Sequence, residues 1–282
     1  MQVTTPTSLD DALNTLAEHP ETVALAGGTD LMVAVNFGRE RPGRVMSLRR
    51  LADLAELRLE DGRVRCGAGV TFTRMLDELP DQAVVQAART VGSPQIRNAG
   101  TLGGNIATCS PAGDTLPVLA ALDAVVVLRS KQGERRVRFA EFMTGPKKNI
   151  RRADELIVGA EWDDAGPAQT FMKVGTRNAM VIAIAGLALV VDRSRRRVGV
   201  GLGSCGPTIL RAPQAEAFAA AIFEAHGWDR HLTPSDAELK EFGRLVATAA
   251  RPIDDVRGTA AYRRHVLAVM GERALARVWS IT

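Results

Sequence analysis

Two short runs bring glycine together with small polar side chains. They are Ala26-Gly27-Gly28-Thr29-Asp30 and Thr101-Leu102-Gly103-Gly104-Asn105, the second continuing through Thr108 and Ser110 to Asp114. Residues of this kind suit the holding of an anion. Paired glycines let backbone N–H groups come close to a ligand and take up positive φ, while Thr, Asn and Asp add hydrogen bonds around it. Asp114 is the one charged residue between Thr101 and Asp114, in a chain that is 24% charged. A stretch so poor in charge lies against something other than water, either other backbone in a tight turn or a ligand. Both runs are expected to be loops. Used together, they would suit a cofactor with a pyrophosphate at its centre, gripped by charge-assisted hydrogen bonds.

Other chemistries find less support. Gly201, Gly203 and Gly206 form a GxGxxG pattern after a predicted strand. Pro207 follows at once, however, and Thr208 to Pro213 has no helical periodicity, so the helix whose N-terminus should hold a dinucleotide is missing. Ser110 is followed by Pro111 instead of the glycine of a nucleophile elbow, with no histidine near it in sequence. His19, His226, His231 and His265 are scattered and lack HExxH spacing. Asp30 and Asp114 could pair as glycosidase carboxylates, but at 4% aromatic content the chain has few rings to serve as sugar platforms. Cys66, Cys109 and Cys205 are too far apart for a CxxC metal site or a disulfide framework. What remains is a cofactor cradle without an acid–base constellation or metal ligands.

The elements that must position this cradle follow from periodicity. Ser8 to Asp11 reads as a capping box that opens an amphipathic helix carrying Leu9, Ala12, Leu13 and Leu16. A β-prone run from Thr22 to Leu25 delivers the chain into the first glycine pair. Arg63 to Val70 alternates like a strand, and two helices, from Thr71 and from about Gln82 to Val91, lead to the second pair. Leu116 to Ala124 is helix-like, and strands are expected at Val125 to Leu128, Arg135 to Phe139 and Leu156 to Trp162. The run Asp163 to Gln169 reads as a linker. Beyond it come strand-like runs at Phe171 to Gly175, Met180 to Val191 and Val198 to Leu202, then three helices, about Pro213 to Ala225, Pro234 to Ala250 and Thr259 to Val278.

At 282 residues, 46% hydrophobic and with a net charge of +4, the chain suits one large or two moderate globular domains. Its basic residues are dispersed apart from Arg193 to Arg197, read as a solvated turn, so nucleic-acid binding is not expected. The longest apolar run, Ala179 to Val191, is shorter than the roughly 20 residues of a membrane span. The first residues, MQVTTPTSLDDAL, lack a basic segment followed by an apolar core, so a cytoplasmic setting is expected.

The two glycine runs belong to longer stretches with a family resemblance. AGGTDL (Ala26 to Leu31), GSPQIRNAGTLGGNIATCSPAGDTLPVLAALDA (Gly92 to Ala124), DELI (Asp154 to Ile157), KVGTRNAMVIAIA (Lys173 to Ala185) and DDVRGTAAYRRHVL (Asp254 to Leu267) resemble the FAD-binding medium subunit of the molybdenum hydroxylases, the family of xanthine dehydrogenase and aerobic carbon monoxide dehydrogenase. The resemblance implies an α+β fold. Residues 1–165 would form a p-cresol methylhydroxylase-type FAD-binding domain of two α/β subdomains, about 1–55 and 56–165. Residues 168–280 would form a C-terminal domain of antiparallel sheet plus helical bundle. It also implies non-covalent FAD, with its pyrophosphate over the two glycine runs. Ala26, Gly27, Gly28, Thr29 and Asp30, with Thr101, Gly103, Gly104 and Asn105, fall on pyrophosphate and ribityl contacts. Thr108 and Asp114 fall on flavin-contacting positions, and Val91, Ile157 and Lys173 on looser cofactor contacts. An aromatic ring can stand at the position of Val91 in this family, so a stacking contact is expected to be missing here.

The implied role is electron transfer. Substrate would be oxidised at a molybdenum cofactor in a large partner subunit, and electrons would pass through two [2Fe-2S] clusters of a small subunit to FAD and on to an external acceptor. The assembly would be a heterotrimer, in a dimer of heterotrimers. The alternative is a stand-alone flavin oxidase of the same fold, for which only Cys109 lies in the motif as a tether and the single tyrosine, Tyr262, lies in the helical region.

Overall fold

The computed structural model describes residues 1–229 and 233–281, so His231 lies outside the described residues. The N-terminal lobe is a small parallel sheet with helices. Strand β1 (Gln2–Thr4) pairs with β3 (Arg44–Ser47), which also pairs with β2 (Val23–Leu25), all in parallel. Parallel neighbours need crossovers, supplied by α1 (Leu9–Glu18) and α2 (Leu31–Asn36). Ser8 caps α1 by accepting from the Asp11 N–H at 3.1 Å, which is half of the reciprocal capping box that the sequence suggests.

The second lobe is a five-stranded antiparallel sheet in the order β4-β5-β10-β6-β7, where β4 is Leu57–Glu60, β5 Arg63–Gly67, β6 Val125–Ser130, β7 Gly133–Arg138 and β10 Leu156–Asp163. Between β5 and β6 the chain builds α3 (Phe72–Glu78), α4 (Ala83–Thr90), α5 (Pro94–Ala99), α6 (Leu102–Thr108) and α7 (Leu116–Ala121). The short α8 (Phe139–Phe142) and the hairpin β8 (Met143–Gly145) with β9 (Lys148–Asn149) follow β7.

The C-terminal part is an antiparallel sheet in the order β11-β12-β13-β14, where β11 is Gln169–Val174, β12 Ala185–Asp192, β13 Arg197–Gly203 and β14 Leu210–Arg211. Three helices, α9 (Pro213–His226), α10 (Asp236–Ala249) and α11 (Ala260–Trp279), cover one side of it. Every residue of β12 is buried. Ala188 and Val190 join the core of the N-terminal lobes, whereas Leu187, Leu189 and Val191 join the C-terminal core. Helix α7 lies against the same sheet, close enough that a Cβ on Gly199 or Gly201 would overlap the carbonyl oxygens of Ala121 and Pro117. Backbone contact with α7 therefore accounts for Gly201 in the GxGxxG pattern, with no nucleotide involved.

Three expectations need correction. The stretch from Thr101 is a helix for its first half, with Gly103 and Gly104 inside α6 and neither at positive φ. The apolar run Met180 to Val191 is strand only from Ala185, and Met180 and Ile182 are exposed loop residues. The arginines from Arg193 to Arg197 form a turn, but one that is tied down. Arg193 donates to the Trp228 carbonyl at 2.9 Å, Arg195 to Asp192 at 3.0 Å, and Arg197 pairs with Asp123.

Candidate functional site

The first glycine run is a true loop. Strand β2 ends at Leu25, Gly28 turns the chain at φ 73°, and α2 opens as the Met32 N–H donates to the Gly28 carbonyl at 3.1 Å. A Cβ on Gly27 would overlap the carbonyl oxygen of Ala99, so the loop rests directly on the end of α5. Among the described residues, the backbone N–H groups of Gly27, Gly28, Thr29 and Asp30 donate to nothing in the chain. Consecutive N–H groups left free at a turn form an anion-binding concavity, since backbone donors that no protein group satisfies call for another partner.

The second run works differently. Thr101 caps α6, its Oγ1 accepting from the Gly104 N–H at 3.0 Å. The Leu102 and Gly103 N–H groups donate to the carbonyls of Val70 and Ala68, each at 3.0 Å. The N-terminal donors of α6 are thus already engaged. Gly103 is a packing glycine, since a Cβ there would come within 2.7 Å of the Ala68 oxygen. Gly104 is half-buried, and a Cβ there would meet only Thr101 Oγ1, at 3.2 Å. Its bare surface leaves room for a ligand, while Asn105 is oriented by Thr115, whose hydroxyl donates to its side-chain oxygen at 2.7 Å. Thr108 is half-buried in the last turn, followed by Cys109 in left-handed conformation. The Cys109 thiol donates to the Ile106 carbonyl, and burial pushes its pKa up to about 11, which leaves it a poor nucleophile.

Asp114 and Lys173 meet each other. The Lys173 ammonium on β11 lies 2.6 Å from Asp114 Oδ2, which also accepts from Thr90 Oγ1 at 2.9 Å; Lys173 donates further to the Thr90 carbonyl at 3.2 Å. Both side chains are buried. Burial pushes the Asp114 pKa up, with the Lys173 charge and the hydrogen bonds from Lys173 and Thr90 pulling the other way. Val91 ends α4 half-buried, its carbonyl accepting from Arg97 at 3.1 Å. Ile157 is buried in the core at a bulge of β10. Asp30 is exposed, 3.8 Å from Lys147 in the β8–β9 turn.

A cleft of ≈ 770 Å³ opens where α4 and α5 face β11 and the loop after it, with Thr90, Gly92, Arg97, Lys173, Arg177 and Met180 among its walls. A smaller cleft of ≈ 560 Å³ lies between α1 and the five-stranded sheet, away from the glycine runs, and its walls include Asp53, Arg65 and Glu161. The first gathers the cationic and apolar groups that a flat conjugated ring with an anionic tail would use, so it is the better candidate. Its Arg97, Arg177 and Thr90 escaped the sequence reading, because what brings them together is packing across the domain junction. Lys147 escaped too, and its positive φ at a hairpin turn is visible only in the structure.

A family model for the FAD binding domain in molybdopterin dehydrogenase matches residues 1–161, and one for the CO dehydrogenase flavoprotein C-terminal domain matches residues 169–278. The chain belongs to this family of FAD-binding flavoproteins. Among its relatives is the nicotinate dehydrogenase FAD-subunit of Eubacterium barkeri, 36% identical over 201 residues, which are 66% of this chain and 68% of that one. The xanthine dehydrogenase FAD-binding subunit of Escherichia coli O157:H7 is 32% identical over 222 residues, covering 74% of this chain and 75% of that one. A chain in the structure of reconstituted CO dehydrogenase from Oligotropha carboxidovorans superposes with a TM-score of 0.88, covering 100% of this chain and 98% of that one at 24% identity, which establishes the shared fold. The chain is thus a dehydrogenase FAD subunit of the α+β type described above, and no helix among the described residues is long and apolar enough to cross a membrane. The residues present fit FAD. Four free N–H groups suit the pyrophosphate, and the cleft lined by Thr90 and Lys173 has the volume and mixed lining for a ring system.

Proposed function

We propose that this chain carries FAD as the electron-transfer subunit of a molybdenum hydroxylase complex, receiving electrons from [2Fe-2S] clusters of a small partner subunit and passing them to an external acceptor. The free N–H groups of Gly27 to Asp30, in a loop that rests on Ala99 at the end of α5, carry this reading. They provide a backbone grip for an anion. When bound, FAD supplies redox chemistry that takes up electrons and hands them on; the protein's part is to bind it, orient it and limit access to it.

In this reading Ala26, Gly27, Gly28, Thr29 and Asp30 surround the pyrophosphate, and Thr101, Gly103, Gly104 and Asn105 form the opposite wall, Gly103 by positioning and Gly104 by leaving space. Thr108 lies on the same helix. Val91, Asp114 and Lys173 belong to the ring end, where the Asp114–Lys173 pair fixes a charged hydrogen-bonding group at the cleft, whereas Ile157 is buried on β10, whose next residue, Val158, accepts from the Ala68 N–H beside the start of α6. FAD is held without a covalent bond, in keeping with the inert Cys109. A stand-alone oxidase is disfavoured, because the lining of the cleft includes neither histidine nor tyrosine to act as base. The remaining partners are a large subunit with the molybdenum cofactor, in a dimer of heterotrimers. A cytoplasmic setting fits three unpaired cysteines.

The test is purification of the chain alone and co-expressed with its genomic neighbours. Bound, non-covalent FAD in the chain, reduced by substrate only when iron–sulfur and molybdenum subunits are present, is the expected outcome. A colourless chain that takes up no FAD on incubation, or FAD reduction by a small molecule without partners, would overturn it.

A further inference from the structure

The β8–β9 hairpin turns through Pro146 and Lys147, with Gly145 and Lys148 paired across it, and Lys147 stands at φ 57°. Proline followed by a residue at positive φ is the pattern of a type II turn, whose third position calls for glycine or asparagine. Lysine enters that conformation at a cost, which persists only where the surrounding structure holds the residue there. The hold comes from α6. The Lys147 N–H donates to the Cys109 carbonyl at 3.0 Å, and the Asn149 side chain donates to the Ala107 carbonyl at 3.2 Å. The hairpin is thus fastened to the C-terminal end of the helix that carries Gly103 and Gly104. A glycine would supply the same backbone N–H without strain, so the turn itself does not account for a lysine.

The side chain reaches across to the first glycine loop. Its ammonium lies 3.8 Å from Asp30 Oδ2, and among the described residues neither group has another ionic partner. Asp30 also departs from its usual habit. It stands at the N-cap of α2, where an aspartate ordinarily accepts from a backbone N–H of the first turn, yet its carboxylate makes no such bond. Two residues therefore forgo the local arrangements that suit them and face each other instead. Both are exposed, and an exposed ion pair contributes little to stability, so stability does not explain the pairing. Position does. Asp30 is one of the four residues whose N–H groups donate to nothing in the chain, which puts the Lys147 ammonium at the edge of the anion-binding loop. A carboxylate alone at that edge would repel a diphosphate, and the ammonium offsets the repulsion.

We propose that Lys147 is a binding residue for the diphosphate of FAD, its ammonium pairing with phosphate oxygens beside the free N–H groups of Gly27 to Asp30, and that Asp30 is its positioning partner. This rests on the FAD reading above. The loop then supplies directed backbone donors from the N-terminal lobe, and the hairpin supplies a full positive charge from the second lobe, so that the anion is gripped from both sides.

Calorimetric titration of the flavin-free full chain with FAD tests this. Lys147→Met should raise the FAD Kd roughly ten-fold at low ionic strength, as expected for one lost charge-assisted hydrogen bond. The difference should shrink in about 0.5 M salt, where exposed charges are screened. Lys147→Arg should keep most of the affinity. Lys147→Gly, which suits the turn, should lose affinity by the same factor as K147M, which separates loss of the charge from harm to the hairpin. Riboflavin, which has no diphosphate, should distinguish none of these variants from the wild type, and Lys148→Met, one residue further along, should bind FAD like the wild type. Wild-type FAD affinity in K147M and K147G would overturn the assignment, as would a loss that salt does not diminish, a loss shared by riboflavin or an equal loss in K148M. A wild-type chain that takes up no FAD would instead overturn the FAD reading itself, so the two failures are distinguishable.

Discussion

Replacing Lys173 with methionine removes the ammonium and keeps most of the volume. Asp114 is only 7% exposed, and Oδ2 would be left with a single hydrogen bond, from Thr90. Breaking a buried pair by removing one partner costs about 3 to 5 kcal/mol, because a charge is left uncompensated. Asp114 can relieve part of this by taking up a proton, at about 1.4 kcal/mol for each pH unit between its pKa and the solution. Burial already raises that pKa, and loss of Lys173 removes a group that lowers it. A raised folded-state pKa means the folded protein holds the proton more tightly than the unfolded chain. The group's contribution is therefore fully present below the unfolded pKa and is lost as pH rises through the folded one. Lys173→Met should accordingly be least stable at pH 8 and recover as pH falls towards 5. The double variant Asp114→Leu with Lys173→Met removes both charges and should lie close to wild type, giving a coupling of at least about 2 kcal/mol. Urea unfolding of flavin-free protein, followed by tryptophan fluorescence, measures this without a ligand contribution. If the two single losses add up to the double loss within about 0.5 kcal/mol, the pair is not coupled and the account is wrong.

Gly104→Ala should fold with little change in Tm yet lose FAD, measured as flavin absorbance after gel filtration, whereas Gly103→Ala should lower stability by about 1 to 3 kcal/mol because its Cβ has no room beside Ala68. Burial raises all three thiols, Cys66 and Cys205 to about 12 and Cys109 to about 11, so a thiol-reactive dye at pH 8 should label none in native protein and three after denaturation. Asp255, held down to about 2 by the Arg257 N–H above all, contributes stability above its ordinary pKa of 3.8 that is lost as pH falls towards 2. The acid-unfolding curve of Asp255→Asn should lack that step.

Elements with a strong apolar period were legible in the sequence. The last three helices, the β6–β7 hairpin and α1 fall close to where periodicity puts them. Helix α6 was not legible, since a Gly-Gly pair costs helix propensity of about 1 kcal/mol per residue and reads as a loop. The carbonyls of Ala68 and Val70, which hold its first turn, come from a distant part of the chain. The glycine pairs correctly signalled close approach, but Gly27 approaches Ala99 and Gly103 approaches Ala68, so protein backbone is the neighbour in both cases. The family resemblance implied cofactor contacts for both Asp114 and Lys173 but could not show that each is the other's partner. Nor could it show that Arg193, Arg195 and Arg197 are tied down, since their acceptors Trp228, Asp192 and Asp123 are gathered by the tertiary fold.

Strand β12 serves a core on each of its faces, and this limits how the chain can be divided. Cleavage in the segment between Asp163 and Gln169 would cut the backbone at the point where two family patterns meet, yet it would leave Ala188 and Val190 on the C-terminal fragment while their neighbours remain on the other. The nicked halves should travel together on gel filtration, and neither should express well by itself. Two modules that share a strand in this way fold as one piece, and α7, pressed on the bare backbone of Gly199 and Gly201, ties the N-terminal lobes to the C-terminal sheet at a second place.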